Sequence, residues 1–410
     1  MKVVILNTSD ATGGAAIVSY RLMEALCRRG LDARMLVVNR THSADERVDV
    51  AGTVEQKRWA FLGERLRIWA ANGFSKKNLF KVSTADRGVD VLSHPWVKAA
   101  DVVCLNWINQ GMMSLRDVAR LGRMGKKIVW TMHDMWCCTG ICHHAYDCTR
   151  YEDSCGNCPF LRYPYRRDLS YRTWKAKKAV LDATDIHFVA VSHWLADCCR
   201  RSSLLAGRPL SVIHNALPVE QFDWHRSPSA PAGKCVVAMG AARLDDPVKG
   251  FDLLIKATEV VAEKYPDDAR RIELLLFGNI RDNNLFDQIK LSYRWLGQVG
   301  VDRIPEIYRE SDVVLSTSHY ETLPTTLIEG QAAGCLAVAF DHGGQTDIVR
   351  SENEGRLADY PDVDSLARCI VEASRMKADR QALHEAAVLR FSMDVVTDAY
   401  LDLFRSLGLK

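Results

Sequence analysis

The sequence has 410 residues, of which 48% are hydrophobic and 26% are charged. This composition is that of a globular protein with enough chain for two domains. Lys and Arg number 54 and Asp and Glu number 51, so the formal net charge is only +3. Such a small excess argues against nucleic-acid binding across the surface, and we expect no nucleic-acid partner.

The first ten residues, MKVVILNTSD, lack the apolar core of a signal peptide. No stretch approaches the ~18 uninterrupted apolar residues of a membrane-spanning helix. The 13 cysteines form an odd set, so a general disulfide framework is not expected. These features predict a cytoplasmic protein.

Short β-branched runs alternate with helix-length segments through the first half of the chain. The predicted strands cover residues 3–6, 34–38, 102–105, 128–132, 188–192 and 212–214, and an amphipathic helix covers residues 15–28 after the first strand. This alternation is that of βαβ units, so residues 1–216 are predicted to form one doubly wound domain.

A polar stretch over residues 217–234 contains three prolines and Gly233, a composition typical of an interdomain linker. A second series follows, with strands predicted at residues 235–239, 273–277, 313–316 and 336–340 and helices after Gly250, Pro305, Pro324 and Gly343. We therefore predict an α/β fold of two Rossmann-like, doubly wound domains, 1–216 and 217–391, facing across a ligand-binding cleft. A last helix, residues 392–408, is expected to pack back on the first domain.

Two glycines, Gly13 and Gly14, follow the first predicted strand and precede a helix. Small residues in this position let backbone N–H groups and a helix N-terminus approach an anion, which favours a phosphate-binding loop. A simple turn is the alternative. The run is neither a Walker loop nor a G-x-G-x-x-G motif.

Two cations, Arg243 and Lys249, flank a loop between a predicted strand and a predicted helix. Arg can bind two phosphate oxygens and Lys supplies a point charge, so the pair suits a diphosphate, with solvated surface charge as the alternative.

Further on, Glu321 and Glu329 stand eight positions apart across a loop-to-helix transition. Two carboxylates suit sugar hydroxyls, and the N–H groups of residues 323–326 offer a positive helix end for phosphate. A solvated helix start carrying two glutamates is the alternative.

In their order, these motifs resemble those of glycosyltransferase family 4, whose retaining enzymes have two Rossmann-like domains in the type B fold. The carboxylates match the family's E-x7-E motif, the cations its Arg and Lys-Gly pair, and the glycines its N-terminal loop. The resemblance implies a UDP-sugar or GDP-sugar as donor and no cofactor for catalysis. It assigns Glu321 to the transferred sugar and Glu329 to the ribose. It assigns the remaining contacts to Leu323, Pro324, Thr325 and Thr326 for phosphate and to the backbone of Val299 for the base.

His133 and Asp134 follow the predicted strand 128–132 and so fall at the carboxyl edge of the sheet. Considered alone, a histidine there would more often be structural. The resemblance implies that His133 contacts the transferred sugar near the reacting centre and that Asp134 orients His133 or the acceptor. The implied reaction is hexosyl transfer with retention, and a nucleotide-sugar epimerase or hydrolase is the alternative.

Four cysteines fall within 17 residues with C-x5-C-x6-C-x2-C spacing: Cys142, Cys148, Cys155 and Cys158. They can close a structural zinc site, with reduced packing cysteines as the alternative. Alternative ligands are Cys137, Cys138 and His143. The run also resembles a subgroup of family 4 from bacterial exopolysaccharide and capsule clusters, including colanic acid biosynthesis.

Apolar residues recur at helical spacing among basic ones between residues 57 and 69, namely Trp59, Leu62, Leu66 and Trp69. Such a helix can lie on an anionic membrane, and the basic-aromatic stretch 162–178 favours the same interpretation. A helix that packs these residues into the core is the alternative. We expect a glycan or lipid-linked glycan acceptor and peripheral contact with the cytoplasmic face of the inner membrane.

Overall fold

The computed structural model describes residues 1–409. The chain divides into two units, one formed by Met1–Ala216 with the chain from Val396 onward and the other by Leu217–Val395. Each unit has its own parallel sheet with helices in the connections. The predicted α/β fold with two Rossmann-like units is confirmed.

The first unit contains a seven-stranded sheet in the order β3-β2-β1-β4-β5-β6-β7. Its strands are β1 Lys2–Ser9, β2 Asp32–Asn39, β3 Val48–Val50, β4 Val102–Leu105, β5 Lys127–Met132, β6 His187–Ala190 and β7 Leu210–Val212. All neighbouring strands are parallel. The order reverses between β1 and β4, which is the switch point of a doubly wound sheet, where ligands bind in such folds.

Helices cover the connections of this first sheet. They are α1 Gly14–Arg28, α2 Val54–Ala71, α3 Pro95–Ala99, α4 Leu115–Gly122, α5 Leu169–Asp182 and α6 His193–Arg201. The last helix of the chain, α13 Met393–Ser406, reaches this unit through its C-terminal part. There the hydroxyl groups of Tyr400 and Thr131 are 2.8 Å apart, and Arg29 pairs with Asp398 at 3.1 Å.

The second unit repeats the arrangement with six parallel strands in the order β10-β9-β8-β11-β12-β13. The strands are β8 Cys235–Arg243, β9 Ile272–Asn279, β10 Ser292–Trp295, β11 Val313–Leu315, β12 Leu336–Phe340 and β13 Gly355–Ala358. The helices are α7 Phe251–Lys264, α8 Pro266–Arg271, α9 Ile304–Glu310, α10 Thr325–Ala332, α11 Val363–Arg375 and α12 Arg380–Phe391. Its switch point lies between β8 and β11, and alternating apolar residues of these strands fill the core.

One prediction about the second half of the sequence is wrong. The segment after Gly343 is not an α-helix but a short 3-10 turn over Gly343–Asp347. The proline-containing stretch 217–234 begins at the boundary between the units and packs on the second, where Leu217 is fully buried and its N–H donates to the carbonyl of Phe391. Phe222 likewise packs against Tyr308 within the second unit.

Within residues 1–409, no helix combines the length and the apolar character that crossing a bilayer requires.

Candidate active site

The carboxyl edge of the second sheet gathers most of the predicted ligand-binding residues. Because all six strands are parallel, the loops that follow them emerge at one edge. Arg243 ends β8, and Glu321 stands in the loop that follows β11, the neighbour of β8. The two loops therefore flank the switch point.

Lys249 and Glu321 form an ion pair at this edge. The ammonium nitrogen Nζ of Lys249 lies 2.6 Å from Oε1 of Glu321, although 72 positions separate the residues in the chain. The carboxylate of Glu321 raises the pKa of Lys249 above its usual value, so the lysine carries its positive charge at neutral pH. The structure thus brings together two residues that the sequence assigned separately.

Gly250 fixes the loop that presents Lys249. Its backbone is left-handed, with φ at 64°, and a Cβ atom there would lie 2.0 Å from the carbonyl oxygen of Thr317. Only glycine fits this approach without displacing the neighbouring loop. The hydroxyl of Thr317 donates to the carbonyl of Lys249 at 2.8 Å, and the N–H of His319 donates to that of Val248 at 2.9 Å. The β8 and β11 loops are therefore bound to each other.

Arg243 lies at the same edge, but carboxylates of its own loop already contact it. Its Nη2 is 3.0 Å from Oδ2 of Asp246, and its Nε is 3.3 Å from Oδ1 of Asp245. A diphosphate bound there would compete with two aspartates for the guanidinium group. Arg243 is placed to bind phosphate only with a change of partner.

Helix α10 begins at Thr325 with no side-chain cap on its N-terminus. The first turn of a helix leaves N–H groups without intrahelical partners, and Pro324 at the N-cap position has no side-chain group to cap them. Pro324 has no N–H, so it cannot supply one of the four donors expected of residues 323–326. The groups that can hold phosphate are therefore the amides of Leu323, Thr325 and Thr326.

Gly343 and Gly344 fix the position of the loop that carries Glu321 and Thr322. These two glycines were not assigned to the site from the sequence. The N–H of Gly344 donates to the carbonyl of Glu321 at 2.8 Å. A Cβ atom on Gly344 would lie 1.9 Å from the carbonyl oxygen of Thr322, and one on Gly343 would lie 2.6 Å from that of Glu321. The Gly-Gly pair after β12 was the available signal, because such pairs mark a close backbone approach.

Glu329 and Val299 were assigned to the nucleoside from the sequence, and they lie in α10 and after β10. Glu329 is the fifth residue of α10 and is partly buried. Burial, and then the charge of Glu329, raises the pKa of the Tyr308 hydroxyl well above its usual value. Val299 follows the edge strand β10 in an irregular segment and is also partly exposed. The ribose contact of Glu329 and the base contact of Val299 stay predictions.

In the first unit, Gly13 and Gly14 form the exposed turn between β1 and α1. Gly13 has φ at 90°, a value that favours glycine, and it stands at the N-cap position of α1 without a side-chain cap. A Cβ atom on either glycine would meet nothing within 4 Å, so the turn faces open space. The helix start is thus accessible to an anion.

His133 stands at the end of β5 beside Asn106, which follows β4. Its Nε2 is 2.8 Å from Oδ1 of Asn106, and because an amide oxygen only accepts, the hydrogen is assigned to Nε2. Burial lowers the pKa of His133 to about 4, against a smaller opposing effect of Asp134. The imidazole is therefore neutral near pH 7. Nδ2 of Asn106 is buried and has no hydrogen-bond partner among residues 1–409.

The carboxylate of Asp134 accepts hydrogen bonds from three groups of the first unit. It accepts from Nδ1 of His143 at 2.6 Å, from the indole N–H of Trp107 at 2.9 Å and from the N–H of Trp136 at 2.8 Å. Although burial alone would raise it, the pKa of Asp134 falls to about 2, chiefly through His143. These contacts hold Asp134 against the loop after β5, while Asn106 bonds His133. That Asp134 orients His133 or the acceptor stays a prediction. His143, considered as a metal ligand, has its second ring nitrogen 3.1 Å from the hydroxyl of Ser83.

The four cysteines considered for zinc line one small cavity, of about 20 Å³, in the loop between β5 and α5. All are free thiols, and the N–H of Gly140 donates to Sγ of Cys155 at 3.1 Å. A tetrahedral zinc site needs sulfur atoms roughly 3.8 Å apart. Among residues 1–409, no three of these sulfur atoms lie within 4.8 Å of one another, so binding would require the loop to contract. Of the alternative ligands, Cys138 has its sulfur 3.3 Å from that of Cys199. Structural zinc stays a prediction.

Comparison with known proteins finds two family models along the chain. The model described as "Glycosyltransferase Family 4" matches residues 12–221, and the one described as "Glycosyl transferases group 1" matches residues 224–390. A D-inositol 3-phosphate glycosyltransferase from Saccharomonospora viridis is 30% identical over an alignment of 189 positions that covers 43% of this chain and 43% of that one. The chain spans less than two thirds of the length of the first curated relatives that it matches.

Solved structures match over the whole length at low identity. A glycosyltransferase from Rickettsia africae aligns with a TM-score of 0.65 and 15% identity, covering 99% of this chain and 98% of that one. Anabaena Alr3699/HepE in complex with UDP aligns with a TM-score of 0.64 and 17% identity, covering 99% and 100%. These likenesses show the two-Rossmann fold of the type B glycosyltransferases. With the family model over more than half of its residues, the chain belongs to glycosyltransferase family 4.

Proposed function

We propose that this glycosyltransferase moves a hexose from a UDP-sugar or GDP-sugar to a hydroxyl of a glycan or lipid-linked glycan, with retention of configuration. The observation that carries the proposal is the Lys249–Glu321 pair of 2.6 Å beside the uncapped start of α10. Together they offer a cation and free N–H groups for a diphosphate and a carboxylate for sugar hydroxyls.

In the proposed reaction, the acceptor oxygen bonds to the anomeric carbon while the bond from that carbon to the diphosphate oxygen breaks. The acceptor proton passes to a phosphate oxygen of the leaving nucleoside diphosphate. Lys249, Arg243 and the amides of Thr325 and Thr326 stabilise the charge that develops on this leaving group. No metal ion is required for this step.

The sugar and the nucleoside have separate contacts in this proposal. Glu321 binds hydroxyls of the transferred hexose, and Glu329 binds the ribose. From the first unit, His133 acts on the transferred sugar as a neutral imidazole, since its pKa of about 4 keeps it uncharged near pH 7. Gly13 and Gly14 contribute amides for phosphate, and Val299 contributes a backbone contact to the base.

We place the enzyme in the cytoplasm, in the assembly of bacterial surface polysaccharide such as exopolysaccharide. The cysteine-rich run after His133, which resembles that subgroup of the family, supports this pathway. The Anabaena neighbour whose structure holds UDP supports a uridine nucleotide as the first donor to test.

Thermal stabilisation by UDP, GDP, ADP and their sugar conjugates tests the donor site, because a ligand that binds only the folded state raises Tm. We expect one nucleotide series to raise Tm and Lys249→Met to abolish most of that rise. The matched control is Lys256→Met, an exposed lysine of α7, which should respond like the wild type. Absence of stabilisation by every nucleotide and nucleotide sugar would contradict the proposed donor site.

A further inference from the structure

Helix α2 presents apolar side chains on the face that points away from the core of the first unit. Trp59, Leu62 and Leu66 follow one another at three- and four-residue spacing, so they share a face, and they are 70%, 45% and 61% exposed. The buried face instead carries Ala60, Glu64 and Ile68. The interpretation that these residues pack into the core is therefore wrong for Trp59, Leu62 and Leu66, whereas Trp69 is half-buried.

The apolar face continues beyond the helix into two neighbouring loops. Trp69 lies one turn after Leu66, and its ring meets that of Phe74 at 4.8 Å between centroids. Tyr163, 60% exposed, packs over Gly73, where a Cβ atom would lie 2.4 Å from its ring. The N–H of Arg162 donates to Oδ1 of Asn72 at 2.6 Å, which joins the two loops. We call Trp59, Leu62, Leu66, Trp69, Phe74 and Tyr163, with their adjoining cations, the aromatic-basic surface.

Positive charge surrounds these apolar side chains. Exposed cations of the surface are Arg58, Lys76, Lys77 and Arg162. Between residues 54 and 81 the only exposed acidic residue is Glu55, since Glu64 is buried against Arg65 at 2.8 Å. Residues 160–167 contain three exposed arginines and no acidic residue. The guanidinium of Arg162 also stacks over the Tyr163 ring, at 5.3 Å from its centroid.

We propose that the aromatic-basic surface docks the enzyme on an anionic lipid bilayer. Aromatic and leucine side chains that enter the lipid boundary, with lysine and arginine at the headgroup level, are the chemistry of interfacial binding. A second copy of the chain would bring two surfaces of the same positive sign together, which opposes self-association. The bilayer supplies both the apolar phase and the complementary charge. This inference does not rest on the proposed transfer reaction.

Flotation of the full-length protein with lipid vesicles tests the proposal without any substrate. Vesicles of phosphatidylcholine are compared with vesicles of phosphatidylcholine and phosphatidylglycerol in equal parts. We expect the protein to float with the mixed vesicles and much less with the neutral ones. Added salt should weaken binding, because it screens the charges. No flotation with either vesicle would overturn the proposal.

Two double variants separate the charge from the apolar part. Lys76→Gln with Lys77→Gln should weaken partitioning about 25-fold, or about fivefold for each charge removed. Trp59→Ser with Leu66→Ser should weaken it at least about tenfold by removing buried apolar area. All four side chains are exposed, so folding should be unchanged, which circular dichroism checks.

Matched control variants lie on the second unit. Lys290→Gln with Lys377→Gln removes two exposed charges, and Val301→Ser with Leu389→Ser removes two side chains that are 79% and 72% exposed. Both controls should float like the wild type. Equal loss in controls and surface variants would contradict the assignment. The proposal would also be overturned if sedimentation showed a concentration-dependent dimer that the surface variants no longer form, because the surface would then bind a second copy.

Discussion

The ammonium group of Lys249 contacts the carboxylate of Glu321 at 2.6 Å across two loops that flank the switch point of the second sheet. Each charge holds the other in place before any ligand arrives. We therefore expect two different effects when its members are changed, one on binding of the diphosphate and one on the rate of sugar transfer.

Glu321→Gln should lower kcat by about 100-fold or more, the usual effect of losing a charged group that acts on the transition state. Binding of the nucleoside diphosphate alone should change little, because Glu321 is assigned to the sugar. Steady-state kinetics and calorimetry of nucleotide binding measure the two quantities. If binding of the nucleotide falls as far as kcat does, the division of roles is wrong.

Lys249→Met should have the reverse effect of Glu321→Gln and mainly weaken binding of the nucleoside diphosphate. Removal of Lys249 also leaves the carboxylate of Glu321 without its cation. The double variant with Glu321→Gln should therefore lose less free energy of donor binding than the sum of the two single variants. A double-mutant cycle on the donor Kd gives the coupling. Full additivity would show that the observed ion pair carries no energy in the working enzyme.

Glu329→Ala should remove the preference for a ribose over a sugar without the 2′ and 3′ hydroxyls. The wild type should bind a ribonucleoside diphosphate about tenfold more tightly than its 2′,3′-dideoxy counterpart, the difference expected of a hydrogen bond to a charged group. The variant should bind both equally. A preference that survives the substitution would assign the ribose to another residue.

Because burial keeps His133 neutral, the free energy of unfolding should depend on pH. The pKa of His133 is about 4 in the folded chain and roughly 6.5 in the unfolded chain, so the unfolded state takes up a proton first as the pH falls. The stability of the wild type should therefore drop between about pH 6.5 and pH 4, relative to His133→Gln, by about 1–2 kcal/mol at pH 5. Urea unfolding at pH 7 and pH 5 measures it. Parallel losses in both proteins would contradict a buried neutral imidazole.

Zinc content tests the prediction for Cys142, Cys148, Cys155 and Cys158. If they bind a structural ion, the purified protein should carry one zinc per chain, and a chelator should lower its Tm. Cys155→Ser with Cys158→Ser should lose the metal, while Cys27→Ser, a partly exposed cysteine outside the loop, should retain it. Protein that is free of metal and indifferent to the chelator would leave these residues as packing cysteines.

Strands in the middle of each sheet were the most predictable part of the fold. Residues 102–105 and 336–340 form strands with the predicted bounds, because each is a continuous apolar run that both faces of the sheet bury. The edge strand β10 was missed, since Ser292, Tyr293 and Trp295 are exposed and lack that apolar pattern. The helix expected after Gly343 fails because both glycines are fixed against the loop of Glu321 and Thr322.

The composition of the candidate site was easier to predict than its internal contacts. Residue types and spacing placed Lys249 and Glu321 on loops, but their pairing depends on β8 and β11 being neighbours, which is a property of the assembled sheet. Local sequence also placed Asp134 beside His133. Its actual partners, Trp107 and His143, come from a separate loop and from further along its own loop. Long-range contacts of this kind have no signal in a single sequence.

Release of nucleoside diphosphate from a nucleotide sugar, measured with and without a glycan acceptor, distinguishes glycosyl transfer from hydrolysis. We expect release that depends on acceptor, a glycoside product with the anomeric configuration of the donor, and loss of both with Glu321→Gln. Equal release without acceptor would indicate a hydrolase. An inverted product, or a variant as active as the wild type, would contradict the proposed transfer at Glu321.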